Sequence, residues 1–548
     1  MSWQTSLRVL LLALVLSSGA CDKPSSTAQQ DATFRFINRG DVITLDINQM
    51  SYFQDFRVTY GIREGLYSYG VDGFSAVPAL AEKTSVSDDK LTWTFTLRDA
   101  KWSNGDPIVA GDFLFSMKAM LDAPGDCSYM LYCIRNARQY ESGEVALEQV
   151  GLKAIDEKTL QITLENPTPY LPQLLAFPPF YPRHAKSMEA FAEKDSSGKT
   201  YYRAEYTRPE HVVTNGPFVL KEWKPGERLR FERNERYWDV ANVKSPAAEM
   251  IVNNDPQSAF VQYEKGKVDF IAAVSPETAV SLRATGRADL RMTPAFATTY
   301  LSLNCAASVP SELGDVPNPL QDVRVRQALA MSVDKARLVK TVTRLDEPVA
   351  NSFVPQRFFE GFETKTAPGY DVAAAKQLLA DAGFAGGAGF PRLTIAYNSD
   401  NATRKSMAEM LSYEWKQHLG IVVELRPSDS KTFDTNVNQK RFTIATSAWM
   451  GDYVDPSTFL DRFSSTSLGN TTNWSNAEYD GLLEKARAEP DVAKREAMLE
   501  QASSILNESL PIIPLYHYNN ICLFRDGVKG ITPNAKNTFL LKEISVER

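Results

Sequence analysis

At 548 residues the chain is too long for one ordinary hydrophobic core and requires two or more domains. A net charge of −7 excludes a general nucleic-acid binder, and 43% hydrophobic against 23% charged residues is the balance of a soluble globular protein. Aromatics at 11%, with 22 Tyr and 8 Trp, suit a recognition cleft, since these side chains give contact area at low entropic cost, although large cores consume them too.

Met1 to Arg8 is short, with Arg8 its one positive side chain, and Val9 to Leu16 is apolar but too short to span a bilayer. Ser17-Ser18-Gly19-Ala20-Cys21 follows, so residues 1–20 read as a secretory signal. Gly19-Ala20-Cys21 resembles a bacterial lipobox, with Ser18 in place of the usual aliphatic residue, and Asp22 to Gln30 reads as a polar tether. That favours lipidation of Cys21, with residues 21–31 as the tether; cleavage by ordinary signal peptidase is the alternative. No later stretch is long and apolar enough for a transmembrane helix.

Ala32 to Ile37 reads as a strand, followed by Thr44-Leu45-Asp46 and a polar turn, and Glu64 to Tyr69 begins another compact unit. Leu91 to Arg98 alternates from end to end, the pattern of a half-buried strand. Lys101-Trp102-Ser103-Asn104-Gly105-Asp106-Pro107 carries turn signals, and Ala110 to Met117 opens a helix for which Asp112 is the expected cap. Arg324 to Leu329 enters an amphipathic helix whose arginines are expected to pair with surface carboxylates. Ala373 to Ala382 is another such helix, closed by Gly383. Strands at Leu393 to Tyr397 and Val422 to Leu425 lie around a helix over Ser406 to His418, a βαβ pattern that predicts a parallel sheet in an α/β lobe. Arg441 to Ala448 alternates as a strand; after Pro490, a helix from Asp491 to Glu508 precedes a strand beyond Pro511. Export permits disulfides: Cys127 and Cys133 lie close enough to close a small loop, and Cys305 with Cys522 would form a second bridge. Buried thiols are the equal alternative, and spacing does not choose between them.

The most informative stretch is Trp449-Met450-Gly451-Asp452-Tyr453-Val454-Asp455-Pro456. Gly451, without a Cβ, offers a backbone that another main chain can approach closely. Asp452 sits at the mouth of the preceding strand between Trp449 and Tyr453, a setting suited to holding an ammonium group through charge-assisted hydrogen bonds. The competing reading is an Asx-type turn, with Asp452 and Asp455 capping their own backbone before Pro456. An enzyme finds little support. The four histidines, His184, His211, His418 and His517, lack metal-ligand spacing, and no nucleophile elbow or phosphate-binding loop occurs. Asp452 and Asp455 are too close in sequence for a glycosidase pair, whose members usually face each other from separate elements.

Several segments, in order, resemble one family. Trp93-Thr94-Phe95-Thr96-Leu97-Arg98, Lys101 to Pro107 and Asp112-Phe113 look like its opening signature. Thr214-Asn215-Gly216-Pro217-Phe218 with Arg233-Asn234-Glu235-Arg236-Tyr237-Trp238, Glu264 to Asp269, Asp322 to Leu329 with Val333-Asp334, and Ile512-Ile513-Pro514-Leu515-Tyr516 follow. The family is that of the extracytoplasmic solute-binding receptors of ABC importers for oligopeptides, dipeptides and nickel (family 5). The spacing of Trp449, Asp452, Tyr453 and Pro456 is most similar to its oligopeptide-binding branch.

The resemblance implies a two-lobed α/β periplasmic-binding fold with a hinge and an additional domain. Lobe I would comprise 32–64, 205–296 and 515–548, the extra domain 65–204, and lobe III 297–514. An extended peptide would lie between the lobes and pair with strands near Ser51-Tyr52-Phe53-Gln54 and Ala448-Trp449-Met450-Gly451, its ammonium on Asp452 beside Tyr453. Hinge closure would present a monomer to an ABC permease in the inner membrane, without cofactor or metal. Two positions depart from the family: Thr446 stands where an arginine commonly precedes the Trp by three, and Ser430 where an aromatic precedes Lys431-Thr432-Phe433. They put recognition of a free carboxyl terminus in question and point to a ligand longer than a tripeptide or modified at that end. A receptor for a nickel complex, haem, sugar or modified murein peptide is the alternative, and a peptide hydrolase the disfavoured third reading.

Overall fold

Two long strands, Leu290–Leu303 and Ile512–Phe524, run antiparallel through the middle of the computed structural model, which describes residues 32–38 and 40–548. The proposed signal, the tether and Cys21 lie outside the described residues. At about 3.4 Å per residue each strand is long enough to serve two cores in succession. Eight further strands complete one ten-stranded sheet. Phe270–Ile271, Phe34–Ile37, Ala247–Ile251, Arg228–Arg233 and Phe218–Lys224 extend it on one side; Ile444–Met450, Leu393–Asn398 and Val423–Ser428 on the other. Phe34, Phe36, Phe231 and Phe270 belong to one buried cluster, and Leu301, Ile395, Trp415 and Ile444 to another. Two cores thus share a pair of strands. The ladder between those strands breaks from Pro294 to Thr298, opposite Asn519 to His517. Proline cannot donate to a ladder, and Phe296 within the break donates instead to Ala535 O.

The βαβ expectation holds: Leu393–Asn398 pairs in parallel with Val423–Ser428, and the helix Ala402–Leu419 connects them. The half-buried strand is Thr92–Leu97, in a four-stranded antiparallel sheet with Ala81–Val86, Thr159–Thr163 and Leu152–Ala154. Its core residues Phe95, Leu160 and Ile162 are continuous with the Phe34 cluster.

Several expectations are corrected. Asp112 stands in the third position of the helix Ala110–Asp122 rather than at its cap; its Oδ2 accepts from Val109 N and from the Trp102 indole, both at 3.0 Å. Arg324 does pair with Asp322 at the surface, but Arg326 is buried and donates to the carbonyls of Leu320, Gln321 and Ser509. Ser509 ends the helix Val492–Ser509, whose last carbonyls have no intrahelical partner, so a guanidinium serves better there than at a surface carboxylate. Cys127, Cys133, Cys305 and Cys522 are free thiols, so neither disulfide forms. Cys305 packs against a third cluster, around Tyr300, and Cys522 lies in the Phe34 cluster, so the two thiols are in different clusters. Ser51-Tyr52-Phe53-Gln54 is not a strand: Ser51 and Tyr52 lead into the helix Phe53–Ile62, whose turns bury Phe56, Val58 and Ile62.

The Gly-Pro and Tyr-Trp motifs clasp the entry to residues 65–204. Asn215 bonds both the N–H and the carbonyl of Glu64 through its side chain, and the Glu64 carboxylate accepts from Tyr237 and Trp238, each at 2.6 Å. Gly216 presses on the chain there: a Cβ would lie 2.5 Å from Arg63 N. Gly216→Ala is therefore expected to lower unfolding stability by about 1–3 kcal/mol, whereas Gly481→Ala, inside a helix with open space around it, raises it by up to about 1 kcal/mol. Urea unfolding followed by tryptophan fluorescence reads both.

Candidate binding cleft at the end of the Ile444–Met450 strand

The strand Ile444–Met450 pairs along its whole length with the central strand, from Leu303↔Ile444 to Ala297↔Met450. On its other edge it pairs only through Ile444 and Ala445 with Ile395 and Ala396. From Thr446 to Met450 that edge meets no further strand among the described residues. There the Arg404 guanidinium, from the helix Ala402–Leu419, donates to Thr446 O at 2.8 Å and Thr446 Oγ1 at 3.1 Å. An unpaired strand edge is a template for another extended chain.

Small residues end the strand for a local reason. Gly451 donates to Phe296 O, and a Cβ on it would sit 2.1 Å from the Phe296 ring. The glycine makes room for Phe296, at the break in the central ladder, rather than for a free main chain. Trp449 is held by its indole N–H on Thr458 O at 2.9 Å, with the Arg462 guanidinium 4.4 Å from the ring centre. Met450 is half-buried beside it.

The two aspartates that follow differ completely. Asp455 behaves as the turn reading requires, accepting from Ser457 N at 2.9 Å, and it also forms a buried bidentate pair with Arg495 at 2.6 and 2.8 Å. Asp452 caps nothing with its side chain. Its N–H donates to Thr458 Oγ1, and its carboxylate faces residues 65–204, where the Tyr129 hydroxyl donates to Oδ2 at 2.5 Å. Burial pushes the Asp452 carboxyl up, opposed by the Tyr129 hydrogen bond and by the charges of Lys536 and Arg462. Tyr453 is buried and stacks on Tyr170 with 4.2 Å between ring centres and 6° between planes.

Ser51, Tyr52, Phe53 and Gln54 make no hydrogen bond to Asp452 among the described residues. The Ser51 hydroxyl donates to Asp126, Tyr52 is exposed, Phe53 packs edge-on to Phe56, and Gln54 O accepts from Asn38. Their link to the site is indirect, since Ser51 and Met50 hold the segment Asp126–Cys127 that leads into the short helix Ser128–Cys133 carrying Tyr129. The sequence reading missed Tyr129, Tyr170, Arg404 and Lys536. Each stands in an unremarkable local context, and only folding brings it to the stretch at 449–455.

Comparison with known proteins places the chain as a whole. Residues 75–471 match the family model for bacterial extracellular solute-binding proteins, family 5. The oligopeptide-binding protein OppA of Bacillus subtilis is 32% identical over 484 residues, 85% of this chain and 84% of that one. The periplasmic murein peptide-binding protein MppA of Escherichia coli is 31% identical and spans 96% of this chain and 95% of its own. Among solved structures, a periplasmic oligopeptide-binding protein of Borrelia burgdorferi superposes with a TM-score of 0.80 at 29% identity, over 94% of this chain and all of that one. These two-lobed relatives share the mixed α/β architecture described above.

The contrast between the two aspartates is open to measurement. Arg495→Met leaves Asp455 buried without its partner and is expected to cost about 3–5 kcal/mol in urea unfolding. Adding Asp455→Leu to it should restore most of that loss.

Proposed function

The chain belongs to family 5 of the bacterial extracellular solute-binding proteins, and from that membership we propose that it captures peptides by their free amine and delivers them to an ABC importer. The observation that carries the amine assignment is the Asp452 carboxylate. It is half-buried at the end of a strand with an unpaired edge, and residues 65–204 contribute only a neutral hydroxyl to it. A ligand ammonium offsets the desolvation that closure imposes, so closure is favoured when ligand is present. The peptide backbone pairs with the open edge at Ser447 to Met450, which gives affinity with little regard for side chains. Trp449, Met450 and Tyr453 flank the amine, while Gly451 and the Ser51 to Gln54 segment act by shaping the walls.

The carboxyl end follows from Arg404. Thr446 replaces the arginine common at this position, yet the Arg404 guanidinium reaches the same strand position from a helix. It has no carboxylate within ion-pair distance among the described residues, Asp434 acting on it only at longer range. Ser430 is engaged in a polar cluster with Asn398 and Asp400. Arg404 therefore takes the terminal carboxylate of the peptide, which argues against a ligand blocked at that end. Family 5 is a family of binding proteins, and the reading includes no catalytic step. Export to the periplasm, anchorage through Cys21, action as a monomer and delivery to an inner-membrane permease complete the proposal.

The test is capture from a synthetic mixture of tri- to pentapeptides, half N-acetylated and half free, each half with free or amidated carboxyl ends, read by mass spectrometry of what the purified protein retains. The wild type is expected to enrich free-amine peptides, and Asp452→Asn to lose that preference at least about thirtyfold. The preference should also fade on acidification, with a midpoint above the ordinary carboxylate range, because protonated Asp452 no longer attracts an ammonium. Arg404→Gln should abolish discrimination between free and amidated carboxyl ends and leave amine preference unchanged. Retention of amine preference by Asp452→Asn would overturn the assignment.

A further inference from the structure

Lys536 is the one cation that bonds directly to Asp452 among the described residues. It lies in the C-terminal segment at 534–538, which is firmly held. Ala535 O accepts from Phe296 N and Asn520 Nδ2, Asn537 O accepts from Arg57 Nε, and Thr538 N donates to Asn534 Oδ1. Lys536 itself is 4% exposed. Its Nζ donates to the Asp452 main-chain carbonyl and, at 3.2 Å, to the Tyr69 hydroxyl. The ammonium stands 4.6 Å from the Tyr69 ring centre and 5.8 Å from that of Phe177. No carboxylate lies within ion-pair distance of it among the described residues.

A lysine so buried without an ion pair is expensive, and one that donates to the carbonyl oxygen of a residue with a half-buried carboxylate is a specific arrangement. Burial draws the Lys536 ammonium down to about 8, while the field of Asp452 supports its charge, so it stays largely cationic at neutral pH. The other groups facing the pair are few. Tyr129 and Tyr69 on one side and Cys127 beneath are all pushed up by burial and stay neutral, and Arg462 lies across Trp449.

We propose that Lys536 is the positioning residue of the amine end. Its ammonium pins the Asp452 main chain against residues 65–204 and supplies the positive field that keeps the neighbouring carboxylate an anion when the cleft is shut. A ligand ammonium consequently meets a fixed, charged acceptor on the side of Asp452 away from Lys536. This rests on the amine-capture reading above.

The experiment uses the same peptide mixture and follows free-amine over N-acetylated enrichment from pH 4 to 7.5 in wild type, Lys536→Met, Lys536→Gln and Lys536→Arg. A free α-amine stays protonated over most of this range, so the acid limb reports Asp452. Lys536→Met and Lys536→Gln are both expected to lower the enrichment about tenfold at pH 7 and to move the acid limb up by about one pH unit. Glutamine keeps a donor for the Asp452 carbonyl, so its agreement with methionine assigns the effect to charge; Lys536→Arg should restore the wild-type limb. Retained N-acetylated peptides report that each variant is folded. A wild-type limb in both neutral variants, or a loss equal for free and acetylated peptides at every pH, overturns the proposal. If Asp452→Asn keeps the amine preference, the amine reading itself fails; if it loses the preference while the neutral variants keep the wild-type limb, only the role of Lys536 fails.

Discussion

A carboxylate taken out of water needs compensation, and at Asp452 the protein supplies it only in part. One hydroxyl donates to it, two cations act on it through space, and burial still dominates its titration. A fully compensated carboxylate, such as Asp455 on Arg495, would be a structural fixture with no use for a ligand. A wholly uncompensated one would hold the cleft open or take up a proton. The intermediate state is what the amine-capture proposal requires: closure unfavourable enough alone to wait for a cation, and an acceptor ordered enough to hold it.

The scaffold explains why this balance falls where it does. Two strands shared by two cores must be interrupted if the cores are to move relative to each other, and the interruption lies at Pro294 to Thr298. Phe296, released from the ladder, receives Gly451 on its carbonyl and gives its N–H to Ala535. The site loop and the C-terminal segment are thereby fastened to the same residue. The lysine beside Asp452 and the carboxylate loop are thus tied to one residue, while Tyr129, Tyr69, Phe177 and Tyr170 lie within residues 65–204 and meet them from the other side. In the proposed reading the charged part of the pocket is preformed and the neutral aromatic part is the wall that moves.

Legibility in the sequence followed the range of the interactions. Periodicity located, to within a few residues, the strands observed at 92–97, 393–398 and 444–450 and the helices at 402–419 and 492–509, because each is decided by which of its own residues face a core. The ordered motifs conveyed the family, although their work proved structural: Asn215, Gly216, Tyr237 and Trp238 lock the chain at Glu64. What local pattern could not give was any pairing across the fold. Tyr129 is 323 positions from the carboxylate it meets. Arg404 was one more charged residue at the start of a helix, and Thr446 looked like a lost cation until the helix was seen to bring one. The same blindness left disulfides and buried thiols equally open for four cysteines that are free, and the resemblance set a strand at Ser51 to Gln54 where a helix starts.

Asp452 and Asp455 show most clearly where sequence reasoning ends. Three residues apart and both compatible with a turn, they are chemically equal on paper. Their difference lies wholly in what the rest of the chain sends to meet them. Arg495 brings Asp455 a planar cation of matching geometry, whose two hydrogen bonds satisfy both oxygens and complete the pair. Asp452 receives a phenol, and its lysine turns to the main-chain carbonyl rather than to the carboxylate. Direct bonding by that lysine to the carboxylate oxygens would convert Asp452 into a second Asp455, internally satisfied and closed to any ammonium from outside. Holding the lysine one carbonyl away keeps its field on the anion and leaves the carboxylate without an ion pair among the described residues, which is what the amine-capture proposal needs and what sets Asp452 apart from the structural pair at Asp455.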